Sequence, residues 1–186
     1  MGYSQEHKAR SKARIVEMAS ERFREEGLSL SIADLMQAAG LTHGGFYNHF
    51  ASRDELVAAA VGQAILAGQA RYPASGDRER TLGAFLKSYI SRTHRDMAGA
   101  GCAMAALAGE VARADETTRD VFTRGFKSML TSVRDLLSKR GDAETQAMLV
   151  VSAAVGAVML SRAVSDPATS DAILSQTRKA LMALEG

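Results

Sequence analysis

Apolar residues recur along this chain every three or four positions, the period of a helix with one buried face. Ile15, Val16, Ala19 and Phe23 keep that spacing while Lys12, Glu17, Glu21 and Arg24 fall between them, which predicts an amphipathic helix over about residues 5–26. Gly27 is a natural C-terminal stop. Ser31 then offers an N-cap, with Asp34 three positions on, to a short helix that turns Ile32, Leu35 and Met36 inward and ends before Gly40. Thr42 caps the next. Ser52 and Glu55 repeat the capping pattern and open a helix through Leu56, Val57, Val61 and Ile65, which ends in a loop at 71–76 marked by Pro73 and Gly76.

Beyond the loop, Leu82, Phe85, Leu86, Tyr89 and Ile90 predict a helix that the glycines near 98–101 end, followed by a short one over 102–112. Asp115 caps a longer helix whose Phe122, Phe126, Met129, Val133 and Leu137 form a sustained inward stripe, stopped by Gly141. The helix predicted over 142–164 is apolar almost all round in its middle. The last runs over 170–184, with Ile173, Leu174, Leu181 and Leu184. No persistent period-two run competes. The reading is all-α, with about nine helices: an N-terminal three-helix unit over 1–51, and a larger helical unit over 52–186. Two short helices joined by a brief glycine-containing turn make a helix-turn-helix, for which the long first helix serves as platform.

Composition supports helices: many Ala, Leu, Met and Gly, no Trp, and only Pro73 and Pro167 as interruptions. A formal charge of +2 says little by itself, but Lys8, Arg10, Lys12 and Arg14 cluster near the N-terminus, opposed nearby only by Glu6. Cys102 is the sole cysteine, which excludes an intrachain disulfide and suits a reducing, cytoplasmic setting. The polar N-terminus has no apolar run of the kind a secretory signal carries, so none is expected. The uncharged stretch 145–161 falls short of the ~20 residues a membrane span needs, so a fully buried helix is expected there and no membrane partner.

The stretch Leu41, Thr42, His43, Gly44, Gly45, Phe46, Tyr47, Asn48, His49, Phe50 carries the candidate chemistry. Wound as an α-helix at about 100° per residue, it sets Phe46 and Phe50 on one face, roughly 40° apart, as core anchors. Asn48 points the other way, flanked by Gly44 and Gly45, with Tyr47 at the edge. A helix surface stripped of side chains lets the backbone approach something closely, as a helix entering a DNA major groove must. Asn48 has the donor and acceptor that match an adenine edge, while Tyr47, His43, His49 and Arg53 suit phosphates. Lys12, Ser31 and Thr42 complete the candidate DNA-binding set.

The segment 14–56 resembles the DNA-binding domain of the tetracycline-repressor (TetR) family of bacterial transcription regulators. The matching residues are Ile15, Ala19, Phe23 and Gly27; Ser31, Ile32, Leu35, Ala39, Gly40 and Leu41; and Phe46, Tyr47, His49, Phe50, Arg53 and Leu56. The resemblance implies a repressor bound to a palindromic operator. It also implies a serine or threonine where Gly45 stands and a lysine where Arg53 stands, so the phosphate contacts here rest more on Tyr47, His49 and Arg53.

The resemblance further implies a homodimer built by the last two helices, and an effector bound among the helices of the second unit. Over 147–160 there is no polar face to give to water, and Ser152 with Gly156 offers a strip for close helix approach. The candidate interface is Ser152, Val155, Gly156, Met159, Leu174 and Leu181; an intramolecular core is the alternative use of the same apolar surface. Candidate ligand-lining residues are Phe85, Tyr89, Met97, Cys102, Met104, Phe122, Phe126, Met129, Met148 and Met159, an apolar and adaptable set that would also serve as plain core. Cys102, after Gly101 at a helix start, is placed either as a sensor thiol for an oxidant or electrophile or as a buried small residue. The competing classes are a cysteine-dependent enzyme using Cys102 with His94, for which no orienting third residue stands out, and a ligand-binding helical protein without DNA function. No cofactor is implied, and the four histidines lack metal-ligand spacing.

Overall fold

The computed structural model describes residues 2–71, 81–137 and 142–183. Among them are nine α-helices, one short 3₁₀-helix and no strand, in the order α1 (Gly2–Glu26), α2 (Ile32–Ala38), the 3₁₀ turn (His43–Asn48), α3 (Arg53–Arg71), α4 (Leu82–Tyr89), α5 (Arg92–Asp96), α6 (Ala103–Val111), α7 (Glu116–Leu136), α8 (Ala143–Ala163) and α9 (Pro167–Met182). The predicted loop at Pro73 and Gly76, the stop at Gly141 and the inward Leu184 lie outside the described residues.

The first unit is assembled as its apolar spacing demands. Ile15, Ala19 and Phe23 of α1 meet Leu35, Met36, Phe46 and Phe50 in one buried cluster, continuous with Leu56 and Val61 of α3. Gly27 ends α1 with φ at +89°, a backbone that residues with a Cβ rarely adopt, and a side chain there would strike the carboxylate of Glu110. α3 packs along α1 on one side and α7 on the other, so it is the beam that joins the two halves.

Several boundaries differ from the sequence reading, each for a local reason. The helix expected from Leu82 onward is two helices, because Ser91 takes an extended conformation and its hydroxyl accepts from the His94 N–H at 3.1 Å, restarting the helix as α5. α9 begins at Pro167, not at residue 170: Asp166 caps it by accepting from the Thr169 N–H at 2.7 Å, and proline fits the first helical turn where no N–H donor is needed. Arg24, which the spacing puts on the polar side of α1, is buried, because the chain around Gly101 covers that end of the helix.

α8 also departs from expectation. At 21 residues it is long and apolar enough to cross a membrane by length and composition, so the shortness argued from 145–161 does not hold. Nor is it fully buried. Ala147, Val150, Val151, Ala154, Ala157 and Val158 pack inward, and α8 rests on α5, α6, α7 and α9. The opposite face is uncovered within one chain: Leu149 and Leu160 are 53% and 58% exposed, with Met148 and Ser152 beside them and Val155, Gly156 and Met159 half-exposed.

Candidate nucleic-acid interface

The 3₁₀ turn is where α-helical winding was expected. Two adjacent glycines weaken α-helical preference, and the Thr42 hydroxyl makes no capping bond; the Gly45 N–H bonds the Thr42 carbonyl at 2.9 Å instead. Both the His49 and Phe50 N–H groups then converge on the Phe46 carbonyl, at 2.9 and 3.1 Å, and close the turn. Phe46 and Phe50 are buried and stack with ring centroids 5.3 Å apart. They anchor the turn as the sequence suggested.

The outer surface is re-sorted by the tighter winding. At roughly 120° per residue Gly44 lies under Tyr47, and Gly45 under Asn48. Gly44 has open space where a Cβ would stand; Gly45 is half-buried, with Thr42 and Met36 at ordinary contact distance, so the two glycines are not one bare face. Tyr47 stands 65% exposed, its ring edge-on to Phe46 at 5.2 Å, and Asn48 is exposed beside it. His43 begins the turn.

Several proposed phosphate ligands are occupied within the fold. The Lys12 ammonium lies 2.8 Å from Glu55 and 4.7 Å above the Phe50 ring. That hydrogen bond, with one from the Ala51 N–H, holds the Glu55 carboxyl below its ordinary range. Arg53, expected at the groove edge, donates to the carbonyls of Leu28 and Leu30 and so fastens the α1–α2 connection to α3. Ser31 caps α2, accepting from the Asp34 N–H at 3.1 Å and donating to its carboxylate at 2.6 Å. His49 is half-buried with Nδ1 unpartnered; burial, then the charges of Lys8, Lys12 and His7, keep it below the usual histidine value. Among the described side chains of the turn, Tyr47 and Asn48 are exposed and free of hydrogen-bond partners, around the gap at Gly44.

Matches to known families agree with this geometry. A family model described as bacterial regulatory proteins, tetR family, matches residues 15–60, and one described as the C-terminal domain of LmrA/YxaF-like transcriptional regulators matches residues 80–176. The chain belongs to the TetR family of transcriptional regulators. No curated protein matches this regulator. Among solved structures its fold is shared by a TetR regulator from Chloroflexus aurantiacus J-10-FL, at 22% identity and a TM-score of 0.79 over 95% of this chain and 96% of that one. A TetR-family regulator from Cytophaga hutchinsonii gives 19%, 0.79, 95% and 96%. The reduced form of NemR from E. coli gives 16%, 0.73, 91% and 96%.

In the second unit, the residues expected to line one ligand site are divided. Phe85, Tyr89, Cys102 and Met104 are buried in the core, with the Phe85 and Tyr89 rings 5.3 Å apart; Phe122, Phe126 and Met129 of α7 and Met159 of α8 are half-buried. Met97 and Met148 are exposed: Met97 sits past the end of α5, where the Arg71 guanidinium reaches its sulfur, and Met148 is on the open face of α8. Leu174 and Leu181, expected at a dimer interface, are buried against this chain's own core, which the inward face of α9 helps to form.

His94 is fully buried and both ring nitrogens are engaged: Nδ1 with the Tyr89 carbonyl at 2.7 Å, and Nε2 accepting the Cys102 backbone N–H at 3.0 Å. Burial lowers its pKa to about 4, so the ring is neutral and serves as a brace between α4 and the start of α6 rather than as a base aimed at the thiol. Sequence periodicity missed three further braces. Arg24 donates to the carbonyls of Ala64 and Gly101, each at 3.3 Å; Glu110 accepts from the Leu28 N–H at 2.6 Å; and Arg162 of α8 donates to the carbonyls of His94, Arg95 and Ala105 at 2.6, 3.0 and 3.3 Å.

Proposed function

We propose that this TetR-family regulator is a homodimeric repressor that binds a palindromic operator in the cytoplasm and leaves it when a small effector binds. Residues 1–51 serve as the reading unit and 52–186 as the sensing and dimerising unit. The observation that carries the reading is the recognition turn. Its inner side is locked by Phe46 and Phe50, while its outer side offers Tyr47 and Asn48 around the open space at Gly44. Asn48 would read a base edge and Tyr47 a phosphate, with His43 and His49 alongside. Lys8 and Arg14, exposed on α1, would add backbone attraction.

Dimerisation is supported by the open face of α8, where Leu149, Ser152, Gly156 and Leu160 form an apolar strip with small residues at its centre. A second copy of the same strip would cover it about a two-fold axis. Such a dimer would set two recognition turns about 34 Å apart, one turn of DNA. The effector reading rests on the apolar interior near Phe85, Tyr89, Met104, Phe122, Phe126 and Met129, and suits a small apolar molecule. An electrophile or oxidant acting at Cys102 is the second reading, favoured by the position of that thiol at the N-cap of α6, beside the braces that reach α1.

The test is binding of the purified chain to a fragment from upstream of its own coding region, followed by fluorescence anisotropy across salt concentrations. Tight, sequence-selective binding that weakens steeply with salt is expected. Binding indifferent to sequence would sink the repressor reading. Cys102→Ser protein that still releases DNA under oxidant would remove the thiol reading alone.

A further inference from the structure

The end of α1 is held to the second unit by a buried cation. Arg24 is 8% exposed, makes no ion pair among the described residues, and has only two carbonyls for partners, with its Nε unpartnered. A guanidinium in that state depends strongly on each acceptor: burial disfavours its charge, and the Glu21 and Glu25 carboxylates offset that without an ion pair among the described residues. One Nη1 is shared between Ala64 of α3 and Gly101, so a single nitrogen ties α1, α3 and the lead-in to α6.

Gly101 is packed against the Arg162 guanidinium, which itself bonds the carbonyls of His94, Arg95 and Ala105. A Cβ at Gly101 would stand 3.0 Å from the His94 ring and 3.1 Å from the Arg162 guanidinium, so the three are packed without slack. The neighbouring Cys102 N–H is fixed on that same His94 ring, whose own backbone carbonyl is held by Arg162. A displacement of α8 at Arg162 therefore moves the peptide at 101–102, and that peptide supplies half of what Arg24 is bonded to.

We propose that Arg162, the 94–102 segment and Arg24 form a relay through which a shift of α8 is transmitted to the reading unit, with Arg24 as the positioning residue at its receiving end. Its regulatory meaning rests on the repressor reading, but its physical content does not. Loss of the Gly101 carbonyl leaves the buried guanidinium short of an acceptor, which favours release of the α1 end and of Leu28, the start of the connection to α2. Hydrogen bonds to charged groups of this kind change an equilibrium by about ten- to a hundredfold.

The test is amide hydrogen exchange on the full chain, comparing wild type, Arg162→Met, Arg24→Met and the double variant. Arg162→Met is expected to speed exchange about tenfold both at 94–105 and at 24–41, and the second effect is expected to vanish once Arg24 is already Met. Acceleration that stops at 105, effects at 24–41 that simply multiply, or uniform acceleration of the whole chain would each overturn the relay. Should Arg24→Met lose helical content, Arg24→Lys takes its place: it keeps the charge but not the reach to two carbonyls, and is expected to uncouple equally. Arg162→Met in the wild-type background decides the matter by itself if exchange at 24–41 stays unchanged. The readout contains no DNA, so failure of operator binding with the coupling intact would sink the repressor reading and leave the relay standing.

Discussion

The 3₁₀ turn at His43–Asn48 and the outward face of α8 both leave small residues uncovered, Gly44 in one and Ser152 with Gly156 in the other, yet they are built for opposite surroundings. Around Gly44 stand a phenol and a carboxamide, groups that keep hydrogen bonds whether they meet water or DNA. Around Gly156 stand Leu149, Leu160 and Met148, which gain only by leaving water. Exposure alone does not name a partner. The side chains bordering each gap differ, and under the proposed function they would suit the turn to a polyanion and α8 to another apolar helix.

The comparison breaks most sharply at Gly44. Gly44→Leu fills the open space beneath Tyr47 without touching the core, so helical content and dimerisation are expected to persist. Specific DNA binding is expected to fall roughly 10³-fold or more, to the non-specific level. Equal operator affinity of variant and wild type, read by anisotropy, would mean that no close approach occurs there.

The corresponding attack on α8 is Leu149→Glu combined with Leu160→Glu. Both side chains are exposed in the single chain, so the fold is expected to hold. Two unpaired carboxylates buried at an interface are expected to weaken dimerisation about a hundredfold or more, and operator binding with it. Sedimentation measurements that find an unchanged dimer would move the interface off this face.

Between the two surfaces lies the His94 brace, which yields a stability effect with a definite sign. The folded pKa, about 4, is below the ordinary value of 6.5, so the unfolded chain binds the extra proton between them. The stabilisation is fully present above about pH 6.5 and is lost as pH falls toward 4, by roughly 3 kcal/mol in all. Denaturant melts at pH 7 and 5 check this against His94→Asn, which is expected to lack that share of the pH dependence. Equal slopes for both proteins would show that His94 titrates normally.

Much of this architecture was legible in the chain because burial follows periodicity. Ile15, Ala19, Phe23, Phe46 and Phe50 occupy the core that their spacing implies, and the caps at Ser31, Ser52 and Asp115 are recognisable from residue type and the position they cap. What escaped depends on who covers whom. Arg24 reads as surface because periodicity registers its polarity but not the 99–101 segment folded over it. Leu174 and Leu181 form an apolar stripe on α9 and the open strip lies on the more apolar α8, and only packing decides which stripe faces home. The 3₁₀ winding turns on which carbonyl each N–H selects, a difference the order of residues at 43–49 does not encode strongly.

The mildest prediction bears on what Tyr47 contributes to the polar side of the comparison. Its ring rests on Phe46 and its hydroxyl faces outward, so Tyr47→Phe removes a donor while keeping the ring contact. A phenol bound to phosphate holds the protein in register but carries no base information. Affinity is therefore expected to drop about fivefold, near 1 kcal/mol, by the same factor on the operator and on single-base variants of it. A loss concentrated at one base pair would instead place the phenol on a base edge, and Asn48 would then share the reading with it.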